Sequence, residues 1–479
     1  MLKKIKSFVS FFLIPALILS VFQTAGLHSV FADEPADSSQ ISIAVNTEWP
    51  AYPSIYAEAG VLIDAASGTV LYEKNCHNQM YPASITKIMT TMLALEYGNL
   101  SDMVEFSHYS VYSLESGAAH VSMDQGELLS LNDCLYAIML ASANEVSNAV
   151  AEYIAKKQPE YAKRIAELDS AGQEYNESIV AIQVFADMMN SRAVQCGARN
   201  THFCNPNGLF DENHYTTCYD MAMITREAIK NDQFLKVESQ LTYTLPTTNL
   251  KTQTQPIANR HKMLFPLNTV YYDGILGGKT GYVDESGNTL VTFARRNGMT
   301  LISVVMKSNS QNVYNDTKLL LDYGFNNFSL TNISQNETNF TPSNGSSIFS
   351  EDSSLIKISP DDYAVLPNSV TLEQCSSNLT FSEENPDVFA LLEYKLGDRT
   401  VGSATLTVNK EENNHFNFGP KIEEETKKEP ADNDYITINL WVVLAVVVII
   451  LVILVILYFL KTARISRKRH RRNKRNIYR

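Results

Sequence analysis

The chain has 479 residues, of which 45% are apolar and 19% are charged. This balance supplies enough apolar material for packed cores, so it excludes a disordered or fibrous protein, and the length suggests two or three domains. With 39 Lys and Arg residues against 52 Asp and Glu residues, the formal net charge is −13.

The first 32 residues have the pattern of a secretory signal. Three lysines precede an apolar run over residues 8–21, and Ala32 is a small residue at a suitable cleavage position. We therefore predict a signal peptide over residues 1–32. An uncleaved N-terminal anchor is the alternative.

The next segments predict a hairpin followed by a long helix. Residues 61–72 contain two apolar alternations on either side of a turn at Ser67 and Gly68, which is typical of a β-hairpin. Residues 82–97 carry apolar side chains at helical spacing, and Gly98 is a suitable stop.

Helices and strands then alternate along the chain. Helical periodicity is found in residues 131–140, 145–155, 179–198, 219–230 and 316–323. Strand-like runs occupy residues 289–295 and 299–306. Because the hairpin comes first and these strands come late, we expect strands that are distant in sequence to share one sheet.

The composition changes after residue 325. Ser, Asn and Thr with short apolar alternations predict a small β-rich domain over residues 326–409. Residues 410–435 are charged and contain Pro420 and Pro430, which indicates a solvated stalk.

The C-terminal segment has the pattern of a membrane anchor. Residues 436–460 are apolar except for Thr437 and Asn439, long enough to cross about 30 Å of hydrocarbon as a helix. Residues 461–479 carry ten Lys or Arg residues and no acid, which favours a cytoplasmic tail. The sequence predicts a single-pass protein of the cell membrane, held in lipid by this helix, with the preceding part on the extracytoplasmic face.

The charge of the extracytoplasmic part argues against a nucleic-acid partner. Removing three lysines of the signal and ten cations of the tail from 39 leaves 26 cations against 52 acids, so residues 33–460 carry −26. The six cysteines match no metal-site spacing, and we leave open whether they are free and buried or paired in disulfides.

The first candidate catalytic residues lie at the start of the predicted helix over residues 82–97. Ser84 and Lys87 are three residues apart, which on a helix brings both side chains to one face, with Cβ atoms about 5 to 6 Å apart. A serine needs a neighbouring base to act as a nucleophile, and a lysine can be that base when burial or nearby cations keep it neutral. A solvated helix start is the alternative for this short motif alone.

Two further motifs strengthen this hypothesis. Ser142-Ala143-Asn144 lies in a polar break between two apolar helices, where a helix cap is the alternative. Lys279-Thr280-Gly281 follows two glycines and precedes a predicted strand, where a turn is the alternative. Because the three motifs occur in this order, 58 and 137 residues apart, their joint signal is strong.

This motif set resembles that of the serine D-Ala-D-Ala carboxypeptidases, the low-molecular-mass penicillin-binding proteins. The likeness extends to Asn205-Pro206-Asn207-Gly208-Leu209 and to Asp273-Gly274-Ile275. It implies a penicillin-binding and β-lactamase-like transpeptidase fold over residues 45–325, which combines helices and strands (α/β in the broad sense) and more specifically is α+β. That fold is an antiparallel sheet flanked by helices with a helical subdomain, which the small β-rich domain and the transmembrane helix would follow.

The resemblance also implies catalytic roles. Ser84 would attack the carbonyl of the terminal D-Ala-D-Ala bond in peptidoglycan stem peptides, and Lys87 would take its proton. Ser142 would relay a proton to the leaving D-alanine. Water would then hydrolyse the acyl-enzyme, and β-lactam antibiotics would act as covalent inhibitors.

Substrate binding is assigned on the same resemblance to Asn144, Lys279, Thr280, Gly281 and Tyr282. Asn144 would hold the amide backbone, Lys279 would keep the site electropositive, and Thr280 would bind the terminal carboxylate. The backbone N–H groups of Ser84 and Tyr282 would hold the oxyanion. The family needs no metal or organic cofactor.

Three features depart from the family pattern. Ala143 stands where many relatives have Asp. Residues 306–318 contain no Arg, although related carboxypeptidases often use one there for the substrate carboxylate, and Lys307 is the expected substitute. The C-terminal segment predicts a spanning helix, whereas the family usually ends in an amphipathic surface helix.

Other functions use the same motifs. A class A β-lactamase needs a Glu to activate the deacylating water, and Glu167 and Glu174 fall in the corresponding stretch without its surrounding motif. A D,D-endopeptidase or transpeptidase would form the same acyl-enzyme. The non-enzyme alternative is an inactive wall-binding scaffold, which only the missing Arg favours.

Overall fold

The computed structural model describes residues 49–337, 356–382 and 388–408. The predicted signal peptide (1–32), stalk (410–435), transmembrane helix (436–460) and basic tail (461–479) lie outside these residues. Among the helices that are described, none is both long and apolar enough to cross a bilayer.

The elements are numbered in chain order. The strands are β1 (Ala59–Asp64), β2 (Val70–Lys74), β3 (Met103–Glu105), β4 (Leu128–Ser130), β5 (Thr242–Leu245), β6 (Gln255–Ala258), β7 (Ile275–Val283), β8 (Gly287–Arg296), β9 (Met299–Ser308), β10 (Phe328–Asn332), β11 (Ile356–Ile358), β12 (Tyr363–Pro367), β13 (Ser376–Phe381), β14 (Val388–Leu396) and β15 (Arg399–Val408). The helices are α1 (Lys87–Tyr97), α2 (His108–Tyr112), α3 (Leu131–Met139), α4 (Asn144–Lys156), α5 (Pro159–Ala171), α6 (Glu177–Gln195), α7 (Cys218–Ala228), α8 (Asp232–Glu238), α9 (Asn312–Asn327) and α10 (Ile333–Asn336).

The main sheet joins the two ends of the catalytic region. Its antiparallel order is β2-β1-β9-β8-β7, and β1 pairs with β9 from Ala59 opposite Met306 to Asp64 opposite Leu301. The predictions of the hairpin and of a sheet built from sequence-distant strands are confirmed. Strand β7 forms an edge of this sheet.

Apolar cores cover both faces of the sheet. Alternate residues of a strand point to opposite faces, so Val61 and Ile63 enter one core while Leu62 enters the other. Helix α7 packs against β1 and β9 on the first face, and α9 packs on the second, where Leu320 and Leu321 are fully buried. The predicted antiparallel sheet flanked by helices is therefore confirmed.

A helical subdomain surrounds α1, which packs against α3, α4, α6 and α7. The predicted helices in this region are all present. Helix α5, which the sequence analysis does not predict, contains no buried residue. Tyr161, Ile165 and Leu168 recur at helical spacing and are half-buried, so a helical stripe is present in the sequence, although most other positions of this helix are polar.

One position differs from the sequence prediction. Lys279-Thr280-Gly281 lies inside β7 rather than ahead of a strand. Gly277 and Gly278 obscure the strand pattern, since glycine has a low strand propensity. Gly278 is needed there, because its φ is +151° and a Cβ would lie 2.1 Å from the Val291 carbonyl oxygen.

A second antiparallel sheet follows the catalytic region. Its order is β10-β12-β15-β14-β13, and β11 pairs with β15. Its apolar core includes Leu366, Leu392 and Leu406. These strands lie in the segment predicted to be β-rich, and its status as a separate domain stays a prediction.

Candidate active site

Ser84 lies in a short 3-10 turn, Ala83–Thr86, that leads directly into α1. Ala83 has a φ of +51°, which is uncommon for a residue other than glycine and marks a locally strained turn. Two contacts hold this turn: the Thr289 hydroxyl donates to the Pro82 carbonyl at 2.8 Å, and Thr86 Oγ1 lies 2.9 Å from His214 Nε2. The turn is thereby tied to both β8 and the loop before α7.

Lys87 is the first residue of α1 and is fully buried beneath Ser84. Its Nζ lies 3.0 Å from Ser84 Oγ and 2.6 Å from Asn144 Oδ1, and it also donates to the Asn207 carbonyl oxygen. The two amide oxygens can take both N–H groups of a neutral amine. Its lone pair is then left for the Ser84 hydroxyl proton, which is the arrangement of a general base.

The surroundings of Lys87 favour the neutral amine. Burial, together with the positive charges of Lys279 and Arg260, holds the pKa of Lys87 well below its ordinary value, while Glu145 opposes the shift. The sequence-based hypothesis that burial and nearby cations make Lys87 a base agrees with this environment.

Ser142 and Lys279 form the second polar pair. Lys279 Nζ donates to Ser142 Oγ at 3.0 Å and to the Thr280 carbonyl oxygen at 2.9 Å. Ser142 has a φ of +61°, a second strained position, directly before α4. This conformation of the interhelical break brings the hydroxyl to the lysine on the edge strand.

Asn144 makes internal contacts on both sides of its amide. Its Oδ1 accepts from Lys87, and its Nδ2 donates to the Ala119 carbonyl oxygen at 2.9 Å. Asn144 therefore orients the base. One Nδ2 hydrogen remains for the substrate amide expected from the sequence.

The motif residues meet at a cavity of about 840 Å³. Six of the predicted site residues line it, namely Ser84, Ser142, Asn144, Thr280, Gly281 and Tyr282. Lys87 and Lys279 lie buried below and reach it through the two serine hydroxyls. The structure therefore brings all eight predicted residues to one place.

Gly281 lets strand β7 approach the nucleophile closely. A Cβ at this position would lie 2.9 Å from the Ser84 backbone nitrogen and 2.3 Å from Thr289 Oγ1. Only glycine fits at such separations. The backbone after Gly281 thus runs beside the Ser84 N–H, consistent with the predicted oxyanion site of the Ser84 and Tyr282 N–H groups.

The sequence analysis misplaced the cationic residue of the cavity. Lys307 is exposed, lies 3.6 Å from Glu58, and is not among the cavity residues, so the prediction that it replaces the family Arg is wrong. Arg260 lines the cavity instead, about twenty residues before Lys279 in the chain. No sequence signal identifies it, because Arg260 precedes the third motif, whereas the family pattern places its arginine after the strands that follow that motif.

Two residues without a predicted role, Asn207 and Glu145, also affect Lys87: the first accepts a hydrogen bond from it, and the charge of the second raises its pKa. Asn207 contributes its backbone carbonyl, a contact that any residue type could make and that leaves no signature in the sequence. Glu145 is a buried acid directly after the second motif. Glu167 and Glu174, the residues considered for a β-lactamase, are exposed and do not line the cavity.

The cluster of side chains that could hold a metal ion lies outside this cavity. Within the described ranges, Glu73, Cys76 and His77 have ligand atoms within 4.8 Å of one another, and none of them lines the site. All six cysteines are described and all are free.

A serine beside a buried lysine, with a second serine–lysine pair on an edge strand, is the arrangement typical of serine acyltransferases and hydrolases of the penicillin-binding type. A family model described as D-alanyl-D-alanine carboxypeptidase matches residues 45–168 and 181–310. The chain belongs to this family.

The relatives cover the catalytic part of the chain. D-alanyl-D-alanine carboxypeptidase DacF of Bacillus subtilis is 30% identical over 279 residues, which are 57% of this chain and 63% of the relative. D-alanyl-D-alanine carboxypeptidase DacA of Escherichia coli is 29% identical over 300 residues, 60% of this chain and 65% of the relative. The match thus spans somewhat less than two thirds of the length of these relatives.

Solved structures agree with the fold. The Streptomyces K15 DD-transpeptidase is 27% identical, with a TM-score of 0.50 over 58% of this chain and 100% of that one. Penicillin binding protein 6B from Escherichia coli, at 23% identity, has a TM-score of 0.53 over 75% of this chain and 98% of that one, and shows the fold alone.

Proposed function

We propose that the protein is a serine D-Ala-D-Ala carboxypeptidase that removes the terminal D-alanine from peptidoglycan stem pentapeptides and thereby limits cross-linking. The reaction would run through an acyl-enzyme on Ser84, which water hydrolyses. The names of the similar relatives support this choice of substrate.

One observation carries the proposal. Lys87 Nζ lies 3.0 Å from Ser84 Oγ, and both of its N–H groups have amide oxygens as acceptors. The lone pair of a neutral lysine would therefore take the serine proton as Ser84 attacks the carbonyl. Lys279 and Ser142, 3.0 Å apart, would return a proton to the leaving amine.

We assign the substrate carboxylate to Arg260 and Thr280, which both line the cavity. A guanidinium can bind a carboxylate through two parallel hydrogen bonds. Replacing Arg260 with Lys should therefore raise KM for a D-Ala-D-Ala peptide more than it lowers kcat. An unchanged KM would count against this assignment.

The decisive experiment labels the protein with a penicillin and maps the modified peptide. We expect the label on Ser84, and we expect its loss in Ser84→Ala with no change in the thermal unfolding temperature. A label on another residue, or a label that survives Ser84→Ala, would contradict the proposal. Ser67→Ala, a serine in the turn between β1 and β2, is the matched control and should label normally.

A transpeptidase is the second candidate, because the similar Streptomyces K15 structure is titled a DD-transpeptidase. Mass spectrometry of the products from a pentapeptide-bearing muropeptide separates the two functions. Free D-alanine with tetrapeptide supports the carboxypeptidase, whereas cross-linked dimers support the transpeptidase. Rapid turnover of a chromogenic β-lactam would instead indicate a β-lactamase.

We further propose that the enzyme works outside the cell membrane, secreted by residues 1–32 and held in lipid by residues 436–460. The location of the proposed substrate supports this arrangement, because peptidoglycan stem peptides are extracytoplasmic. The charge asymmetry around the apolar segment favours the same orientation.

A further inference from the structure

Lys279 depends for its charge on the groups behind strand β7. The side chain is almost fully buried, at 1% exposure, so leaving it charged requires compensation. Glu238, the last residue of α8, is equally buried. Its Oε2 accepts the backbone N–H of Gly278, the residue before Lys279, at 2.9 Å.

Two glycines allow this close packing. A Cβ on Gly277 would lie 2.6 Å from the Glu238 Cβ, and a Cβ on Gly278 would lie 2.8 Å from His261 Cδ2. The carboxylate and the imidazole therefore pack directly against the backbone that leads into Lys279. The other oxygen of Glu238, Oε1, is buried and has no hydrogen-bond partner in the described structure.

Among the charged groups around this place, Glu238 is the one that raises the pKa of Lys279. Burial raises the pKa of Glu238 too, while the Gly278 N–H and the charge of Lys279 favour its carboxylate form. Arg260 has the same sign as Lys279 and works against its protonation, whereas burial favours the neutral form of Lys87. Burial lowers the pKa of His261 to about 3, so its ring, whose Nε2 lies 2.8 Å from Thr292 Oγ1, is neutral. Glu145 acts on Lys87, whereas Glu238 acts on Lys279.

We propose that Glu238 is a positioning residue of the reaction, whose buried carboxylate keeps Lys279 charged so that the ammonium holds the Ser142 hydroxyl ready to relay a proton. This inference rests on the proposed function. Burial lowers the pKa of Lys279, and the negative charge of Glu238 raises it again. Without Glu238 the ammonium loses its proton at lower pH.

The test is Glu238→Gln in the full-length chain, since glutamine keeps an acceptor for the Gly278 N–H. The rate of Ser84 acylation by a penicillin is measured from about pH 6 to pH 10. In such a profile the rate falls at high pH as Lys279 loses its proton, and we call this fall the alkaline limb. We expect the alkaline limb of the variant to lie about one pH unit lower, so that at pH values above the limb its rate is about tenfold lower. A merely structural role would lower the rate equally at every pH and would leave the limb in place.

Two further variants complete the test. Glu152→Gln removes another buried carboxylate, one that accepts from Ser107 and Ser178, and should not move the limb. Glu238→Asp keeps the negative charge but moves it farther from Lys279, because the side chain is shorter. We expect a smaller shift of the alkaline limb in the same direction, and this variant decides the question if Glu238→Gln does not fold.

The outcomes separate the two proposals. An unshifted alkaline limb in a folded Glu238 variant, with the parent enzyme acylated on Ser84, overturns the role of Glu238 alone. A parent enzyme that penicillin does not acylate on Ser84 overturns the proposed function, and the role of Glu238 with it.

Discussion

At the scale of single residues, the site consists of two serine–lysine pairs. In each pair the Nζ of a buried lysine lies 3.0 Å from a hydroxyl at the cavity. Their surroundings differ, because Lys87 has two amide oxygens and nearby cations, whereas Lys279 has the Glu238 carboxylate behind it. The differences favour a neutral base in one pair and a charged donor in the other.

Replacing Lys87 with Arg tests the base directly. Arginine keeps the positive charge but does not deprotonate in proteins, so it cannot take the serine proton. Acylation by penicillin should fall by about 10² to 10⁴, the usual contribution of general-base catalysis. Circular dichroism should show an intact fold, and near-normal acylation by the variant would refute the role.

Arg260 should affect the pH dependence through both lysines. Its positive charge lowers the pKa of Lys87 and of Lys279, so Arg260→Gln should raise both. In the proposed mechanism acylation uses neutral Lys87 and charged Lys279, so the acidic and alkaline limbs should both move to higher pH. The pH profile of penicillin acylation measures this, with Arg226→Gln, outside the cavity residues, as the control.

At the scale of elements, the loop between α6 and α7 supports the nucleophile turn. Gly208 has a φ of +81°, and a Cβ there would lie 1.9 Å from the Ala83 carbonyl oxygen. The same loop supplies the Asn207 carbonyl to Lys87. The loop and the turn therefore have to pack against each other before the base is correctly placed.

Gly208→Ala should consequently lose most of its acylation rate. The left-handed conformation alone costs an L-residue about 1 to 2 kcal/mol, and the clash with Ala83 adds to that cost. Gly172→Ala is the matched control, since Gly172 has a φ of +64° but nothing within 4 Å of its Cβ position. Both variants are compared by urea unfolding and penicillin labelling. Equal losses of stability would show that the contact with Ala83 is unimportant.

At the scale of the whole molecule, the catalytic part should work without its predicted anchor. The active-site residues all lie between Ser84 and Tyr282, within one contiguous set of packed elements. A fragment of residues 33–434 should therefore be soluble and release D-alanine from a pentapeptide. The comparison is kcat/KM of the fragment and of the full-length protein, and an inactive but folded fragment would contradict the tether hypothesis.

The predicted membrane topology has its own test. The full-length chain should resist carbonate extraction, because residues 436–460 lack the charged face of a helix that lies on the membrane surface. Protease added to wall-stripped cells that lack an outer membrane should leave a fragment containing residues 441–479. Release of the intact protein by carbonate would show that the segment is a surface helix.

Local sequence patterns were enough to propose the catalytic set and to predict six of the ten described helices, namely α1, α3, α4, α6, α7 and α9. They could do so because the motifs of Ser84, Ser142 and Lys279 have characteristic spacings, and because helices such as α3 and α4 bury one face and so carry an apolar stripe. The distant groups that complete the site become visible only in the folded chain. Arg260, Glu238 and the Asn207 carbonyl act through space on Lys87 or Lys279, and no local pattern records a contact between segments that folding brings together.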